Sequence, residues 1–402
     1  MKAPFELAER VLKRFIDHGY EAYIVGGAVR NWLLGLSIHD IDIATSAKPE
    51  EVIALFPSTF PVGIEHGTVL VRHDHVDYEV TTFRTEGTYS DFRHPQHVTF
   101  IGSLEEDLAR RDFTMNAMAR DISGVIIDPF HGRQHLKKRL LRTVGQAEAR
   151  FLEDPLRMLR AARFVSQLNV KADSEVIEAM QKQKCYIQRL SIERVLQEMS
   201  KLLQGHWVLY GLELLMATNV LFELPMLSNV TPQERQHLLS VDFNRCASLA
   251  ERWATFLLAL ERAAPAAFLK KWRFSNALKN QILLLMQNYH CYKEAEWTAW
   301  NLYRVGLHQA LAIQRLRAAR HEAVESVMEH LQAMAQALPI QTRADLVIDG
   351  HDLQAWLDQP PGPWIKGTLA NIEQAVVEKQ LPNERAAIKR WVKACHEQKK
   401  KP

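Results

Sequence analysis

The apolar pattern of this chain changes character once, near Phe151, and that change restricts the folds open to it. Before it, short runs such as "EAYIVGG", "HDIDIAT", "GTVLVRH", "VDYEVTTF" and "HVTFIG" are apolar or alternating and end at Gly, Pro or Asp, as strands do. Helical patterns fall between them, "PEEVIALF" and "SLEEDLARRDFTMNAMA", the second opened by Ser103 and Glu106 as a capping box. Beyond Phe151 strand patterns vanish. Long amphipathic segments follow, among them "SEVIEAMQKQ", "SIERVLQEMSKLLQ" and "ALKNQILLLMQNY". The expected fold class is α+β: a small mixed sheet with helices, then an all-helical remainder. Proline-bearing stretches at 225–232 and "DQPPGPW" (358–364) are the expected internal breaks.

Several function classes are excluded early. The four cysteines lie far apart with no C-x-x-C spacing, which suits reduced thiols and argues against a disulfide framework or a structural zinc site. The N-terminus "MKAPFELAERVLKRFIDHGYEAY" reads as a charged amphipathic helix, not a signal peptide. No apolar run approaches the ~20 residues that cross a bilayer, so the expected location is cytoplasmic. A net charge of +3 neither demands nor excludes a nucleic-acid partner. Local clusters are more telling: from Arg133 to Lys171 ten lysines and arginines outnumber three acids, and Lys389, Arg390, Lys393, Lys399, Lys400 and Lys401 crowd the C-terminus. Such clusters track phosphates, and binding through them weakens steeply with salt.

"SIHDIDIAT" (37–45) carries an electrostatic fault. On a strand, Asp40 and Asp42 point to one face. Like charges ~4 Å apart repel by roughly 1 to 4 kcal/mol at effective dielectrics of 80 to 20. Three readings compete: strand-end turn residues, partners of arginines, or holders of a divalent cation. In "VDYEVTTF" Asp77, Glu79 and Thr81 share one face, so a neighbouring strand offers a further carboxylate. Asp77 and Glu79 have the same parity, and the choice between them stays open. Mg²⁺ prefers hard oxygens and keeps substrate phosphates as partners, which suits such a cluster. Upstream, "YIVGGAVRNWLLG" reads strand, Gly26-Gly27, helix. Such a turn lets backbone approach a phosphate, with Arg30 one helical turn in as a bidentate grip. It is not the G-x-G-x-x-G dinucleotide fingerprint. A phosphate cradle ahead of metal carboxylates is the layout of nucleotidyl transfer.

Together "GGAVRNWLLG…HDIDIAT", "RRDFTMNAM" and "EDPLRMLRAARF" resemble the signature motifs of class II tRNA nucleotidyltransferases, the CCA-adding enzymes, and of the related bacterial poly(A) polymerases. The likeness runs in order over most of residues 20–200. It implies a polymerase-β-like nucleotidyltransferase head (1–150), a helical neck with the nucleobase-selecting helix (151–205), a helical body (206–320) and a tRNA-binding helical tail (321–402). It implies Mg²⁺ as cofactor, CTP and ATP as substrates, tRNA as partner, and, at family level only, a homodimer. Asp40 and Asp42 would bind the metal, with Glu79 as a further catalytic carboxylate; Gly26, Gly27 and Arg30 would hold the triphosphate. Two positions depart from the family pattern: Asn31, where Asp is usual, and His94, where a second arginine is common.

"RRDFTMNAM" (110–118) is expected on the capped helix, where Asp112 and Asn116, four apart, face one way. By the resemblance they hold the ribose hydroxyls and Arg111 a phosphate; without it, they read as a solvated face with a local ion pair. In "FLEDPLRMLRAARF" Asp154 is an expected N-cap with Pro155 at N1, and Arg157, Arg160 and Arg163 recur every three residues within one broad face. Cytosine and adenine both present an amino donor beside a ring-nitrogen acceptor, whereas uracil and guanine present the reverse. A carboxylate beside a guanidinium therefore suits C and A. The resemblance assigns that task to Asp154 and Arg157, and further nucleotide contacts to Arg160 and Arg163. It also implies that "SIERVLQEM" (191–199) supports the selecting helix, that the loop 84–98 helps switch from C to A, and that "DLVIDGHDLQAWL" and "GPWIKGTL" belong to a tRNA-binding tail. The implied activity is template-independent addition of CCA to tRNA. The alternatives are a poly(A) polymerase, a partial CC-adding or A-adding enzyme, and, from another class, a tRNA-binding protein with a degenerate site.

Overall fold

A computed structural model describes residues 5–86, 98–262, 264–292, 294 and 296–400. The C-to-A switching role given to the 84–98 loop, with His94, falls mostly outside these residues, and so does Lys401. Two compact units emerge: Met1–Leu239 with Ala267–Phe274, and Ser240–Ala266 with Ser275–Pro402.

In the first unit, helix α1 (Glu6–Asp17) buries Ala8, Val11, Leu12 and Phe15, the i, i+3, i+4, i+7 stripe of an amphipathic helix. A seven-stranded mixed sheet follows, in the order β3-β4-β5-β2-β1-β8-β9. Its strands are β1 (Ala22–Val25), β2 (Asp42–Thr45), β3 (Thr59–Phe60), β4 (Thr68–His73), β5 (Val76–Thr82), β8 (Ala119–Arg120) and β9 (Ile126–Ile127), while β6 (Arg84–Glu86) and β7 (Val98–Phe100) form a separate antiparallel pair. Only β2 and β5 run parallel within the large sheet; its other pairings are antiparallel. Along β5, Tyr78, Val80 and Thr82 are buried while Asp77 and Glu79 are exposed, the period-two alternation read from the sequence. Helices α2 (Gly27–Leu33), α3 (Pro49–Leu55), α4 (Leu104–Ala109) and α5 (Gly132–Lys137) connect and flank these strands.

Strands do not end at Phe151: β10 (Leu140–Leu141) pairs in parallel with β11 (Lys171–Ala172). Two-residue ladders are too short to leave an alternation in sequence. Between them lie α6 (Ala147–Glu153) and α7 (Leu156–Leu168), followed by α8 (Ser174–Gln183), α9 (Ile192–Leu203) and α10 (Val208–Ala217). Helix α7 is buried along most of its length. It gains that burial by close approach: a Cβ at Gly211 on α10 would sit 2.7 Å from the Ala162 carbonyl oxygen, so the two helices need glycine there. Ser166 Oγ also donates to the Leu202 carbonyl oxygen of α9 at 3.0 Å. Helix α7 is thus clamped on two sides.

Among its described residues the second unit is all helical. Trp253 and Phe256 pack edge to face at 5.5 Å inside it, and the buried Glu251 carboxylate takes a bidentate pair of hydrogen bonds from Arg315, both 2.9 Å. Towards the C-terminus, helices Gly350–Leu357, Trp364–Val377 and Arg385–Lys400 enclose an apolar cluster that includes Leu353, Ile372, Val376 and Ile388. No helix among the described residues is long and apolar enough to cross a membrane.

Candidate active site

The first unit holds a cavity of about 860 Å³. Gly26, Gly27, Arg30, Asp40, Asp42, Arg111, Asp112, Asn116, Asp154, Arg157, Arg160 and Arg163 all line it; of the expected site residues only Glu79 does not.

One corner is built where β1 stops. Gly26 adopts φ +70° and ψ −129°, a conformation that disfavours any side chain, and a Cβ there would meet Arg111 Nη1 at 3.0 Å. Helix α2 begins at once and carries Arg30 into the cavity. Arg30 donates to Asn116 Oδ1 at 2.5 Å and, from Nε and Nη2, to Asn31 Oδ1 at 3.1 and 2.9 Å, while Asn31 Nδ2 donates to the Ser37 carbonyl oxygen. All of these acceptors are neutral. Burial and the neighbouring Arg163 draw the Arg30 guanidinium down to about 10, against the pull of Asp112. The unusual Asn31 therefore holds Arg30 without neutralising it.

Beside this turn lies the acidic corner. Asp42 opens β2, opposite Val25 of β1 on one side and Glu79 of β5 on the other. Asp40 precedes the strand rather than lying on it, because β1 turns away at Gly26 and leaves β2 no antiparallel partner beyond Val25. Both carboxylates nonetheless face the cavity. Burial pushes the Asp42 carboxyl up to about 6, with the charges of Glu79 and Asp40 adding to it and only Arg111 opposing. Asp77 has left the cluster: Arg72 holds it with hydrogen bonds of 2.6 and 2.9 Å on the exposed surface and lowers its pKa. Among the described residues no three His, Cys, Asp or Glu side chains group closely enough to hold a metal ion by themselves. Two cavity-facing carboxylates still fit Mg²⁺, which takes one or two protein carboxylates and completes its shell with phosphate oxygens and water.

The 110–118 segment corrects the sequence reading, for it is not on the capped helix. Ser103 Oγ does accept from the Glu106 amide, but α4 ends at Ala109 and a 3₁₀ turn, Thr114–Asn116, follows. Two interactions stop the helix. Asp112 Oδ1 accepts from the Phe113 amide at 2.8 Å, and the 112–114 backbone bonds to Arg142 and Val144 instead of to itself. Asn116 Nδ2 still reaches Asp112 Oδ1, at 2.9 Å, through the turn rather than along a helix face. Asp112 Oδ2 accepts from Arg160 Nε at 2.7 Å. Burial alone would raise the Asp112 carboxyl; Arg160, Asn116 and Arg157 instead hold it far below the usual carboxylate range. Arg110 and Arg111 are steadied from below by the buried Asp107, at 2.9 and 3.2 Å.

Helix α7 supplies the remaining wall. Asp154 closes α6 in an extended conformation, and its Oδ1 accepts from the Leu156 amide at 3.0 Å across the helical Pro155, the capping contact expected of an N-cap followed by proline at N1. Arg157 donates to Glu153 at 2.7 Å and to the carbonyls of Arg150 and Arg110. Arg163 pairs with Glu198 at 3.1 Å; burial and Arg160 bring it down to about 10. Sequence reasoning missed several partners: Glu153, Phe164, Gln167, Arg194, Glu198 and Lys201. A signal for some of them existed. Arg194 and Glu198 are four apart on α9, opposite in sign to the Asp154 and Arg163 they meet, and the Arg194–Asp154 contact is 2.7 Å.

Comparison with known proteins places these features in a family. Residues 22–142 match the poly(A) polymerase head domain, 169–230 a probable RNA- and SrmB-binding site of polymerase A, and 245–392 a putative tRNA nucleotidyltransferase domain 2. The CCA-adding enzyme of Bacillus cytotoxicus is 42% identical over 395 residues, covering 98% of this chain and 99% of its own. That of Geobacillus kaustophilus is 44% identical over 396 residues, covering 98% and 97%. The crystal structure of the Bacillus stearothermophilus CCA-adding enzyme in complex with CTP matches with a TM-score of 0.90 and 40% identity over 100% of both chains. With its acid pair, glycine turn and arginine-lined helix facing one cavity, the chain belongs to the bacterial class II CCA-adding tRNA nucleotidyltransferases, within the tRNA nucleotidyltransferase and poly(A) polymerase family.

Proposed function

We propose that this enzyme adds C, C and A to tRNA 3′ ends from CTP and ATP, without a nucleic-acid template, releasing pyrophosphate at each step. The observation that carries this reading is that Asp40, Asp42, Asp154 and Arg157 all face the same cavity. Asp40 and Asp42 would hold Mg²⁺. Bound there, the ion supplies a Lewis acid for the reacting phosphate oxygens. The tRNA 3′-hydroxyl oxygen forms the new bond to the α-phosphorus as the bond to pyrophosphate breaks. Arg30 and Arg111 grip the phosphates, and Asp112 and Asn116 orient the ribose.

Base choice rests on preorganisation. Each Asp154 oxygen has one neighbour already, the Leu156 amide or Arg194, and keeps a second lone pair for the amino group of C or A. Arg157, pinned by Glu153 and two carbonyls, offers its remaining donors to the ring nitrogen. The head (1–150), neck (151–205), body (206–320) and tail (321–402) divide catalysis, base choice and tRNA holding among them. The working form is a cytoplasmic homodimer, which light scattering of the purified protein checks.

Labelled CTP and ATP offered together to tRNA lacking its 3′ end test the reading. Three added nucleotides support it; an open-ended A tail, or no incorporation with Mg²⁺ present, overturns it.

A further inference from the structure

Three guanidinium groups converge on one aromatic ring. The Cζ of Arg163 lies 4.2 Å from the Phe164 ring centroid, that of Arg30 5.0 Å and that of Arg160 5.5 Å. Phe164 is 3% exposed, lines the cavity, and is braced by Phe113, edge to face at 5.7 Å. The charges gathered there do not cancel. Asp112 answers Arg160 and Glu198 answers Arg163, but the hydrogen bonds of Arg30 go to amide oxygens of Asn31 and Asn116. Burial first, and then the charge of a neighbouring arginine, lowers the pKa values of Arg30 and Arg163. The negative face of the ring is what offsets a surplus cation held so close to two others.

We propose that Phe164 is a positioning residue of the triphosphate grip: its ring fixes Arg30 beside Arg160 and Arg163, so that an uncompensated positive charge stands ready in the cavity for the nucleotide's phosphates. This rests on the nucleotidyltransferase reading above. CTP and ATP carry the same triphosphate, so the contribution of the ring is blind to the base.

Phe164→Leu keeps an apolar side chain and removes the ring face, whereas Phe164→Tyr keeps the ring. Steady-state incorporation of CTP and ATP into tRNA ending before its CCA is read alongside calorimetric binding of magnesium tripolyphosphate to the full-length protein. In Phe164→Leu, KM should rise roughly five- to tenfold for CTP and ATP alike, with kcat within about twofold. Tripolyphosphate should bind more weakly by a similar factor, and Phe164→Tyr should behave as wild type. Unchanged KM and tripolyphosphate affinity, even with a lower Tm, overturn the proposal by leaving the ring a packing role only. A rise for one nucleotide alone overturns it as well, since the ring would then act on base choice. Should the leucine variant not fold, Phe164→Met repeats the test with a flexible filler. Wild-type enzyme that binds tripolyphosphate but incorporates neither nucleotide would sink the reading of the reaction instead.

Discussion

The two charged walls of the cavity are built on opposite principles. On the arginine wall every acid has an answering cation: Asp112 with Arg160, Glu153 with Arg157, Asp154 with Arg194, Glu198 with Arg163. On the acidic wall Asp42 feels the negative charges of Glu79 and Asp40, with Arg111 opposing them. Each wall contains a carboxyl withdrawn from solvent, half-buried Asp42 and buried Asp112, and the two are driven apart: Asp42 up to about 6, Asp112 well below its usual range. A carboxylate held low is already complete and serves to orient. One held high is incomplete, and in the proposed reaction a divalent cation arriving with the triphosphate would complete it.

The sharpest way to break this contrast is to neutralise the acidic wall. Asp40→Asn or Asp42→Asn should lower nucleotide incorporation by at least about a thousandfold, since each removes a ligand of the proposed ion. Stability should move the other way. The folded pKa of Asp42 lies above its ordinary 3.8, so the native state binds more protons between pH 4 and 6 and loses stability as pH rises through that window. Ionising Asp42 above pH 6 costs the metal-free fold about 3 kcal/mol. In a chelator at pH 8 the Asp42→Asn protein should therefore melt higher than wild type, and at pH 4 the two should coincide. A lower Tm for the variant at pH 8 would mean that this carboxylate is already paired.

On the arginine wall the same chemical change should have the opposite sign. Asp112→Asn leaves the half-buried Arg160 without its counter-charge and should destabilise the fold, by up to about 3 kcal/mol. The folded pKa of Asp112 is depressed, so its contribution is present above about pH 4 and disappears as pH falls further. Urea titrations of wild type and variant should therefore converge in acid. Curves that stay parallel down to pH 2 would deny the ion pair its weight.

Selectivity is the next smaller effect. Asp154→Ala should let UTP compete with CTP, cutting discrimination by roughly a hundredfold while metal-dependent transfer continues. Arg194→Ala should cost less, about tenfold, because Asp154 keeps its hydrogen bond from the Leu156 amide. Unaltered preference for CTP over UTP in the Asp154 variant would remove that residue from base choice.

Much of this site was legible because its signals are local. A glycine turn after a strand, two aspartates two apart and arginines every third residue are short-range patterns, and the structure brings them to one cavity. What failed was local in a different way. Residues 110–118 read as a continuation of the helix capped at Ser103, yet the backbone partners that broke it, Arg142 and Val144, lie about thirty residues on. The same holds for Arg194 and Glu198, whose meaning depends on which helix α9 packs against. Strands β10 and β11 were invisible because two residues carry no period.

The smallest predicted effect decides between the two carboxylates that parity could not separate. Asp77 and Glu79 share a face of β5, but Asp77 is engaged by Arg72 at the surface, whereas Glu79 stands in register with Asp42. An exposed ion pair contributes little to stability, so Asp77→Asn should leave activity unchanged and barely move the Tm. Glu79→Gln takes a negative charge away from Asp42. It should lower the apparent pKa of Asp42, visible as a weaker fall in stability between pH 4 and 6, and weaken Mg²⁺ activation roughly tenfold. Equal and negligible effects from both substitutions would confine the acidic wall to Asp40 and Asp42. A loss confined to Asp77→Asn would require the Arg72 pair to open when substrate binds.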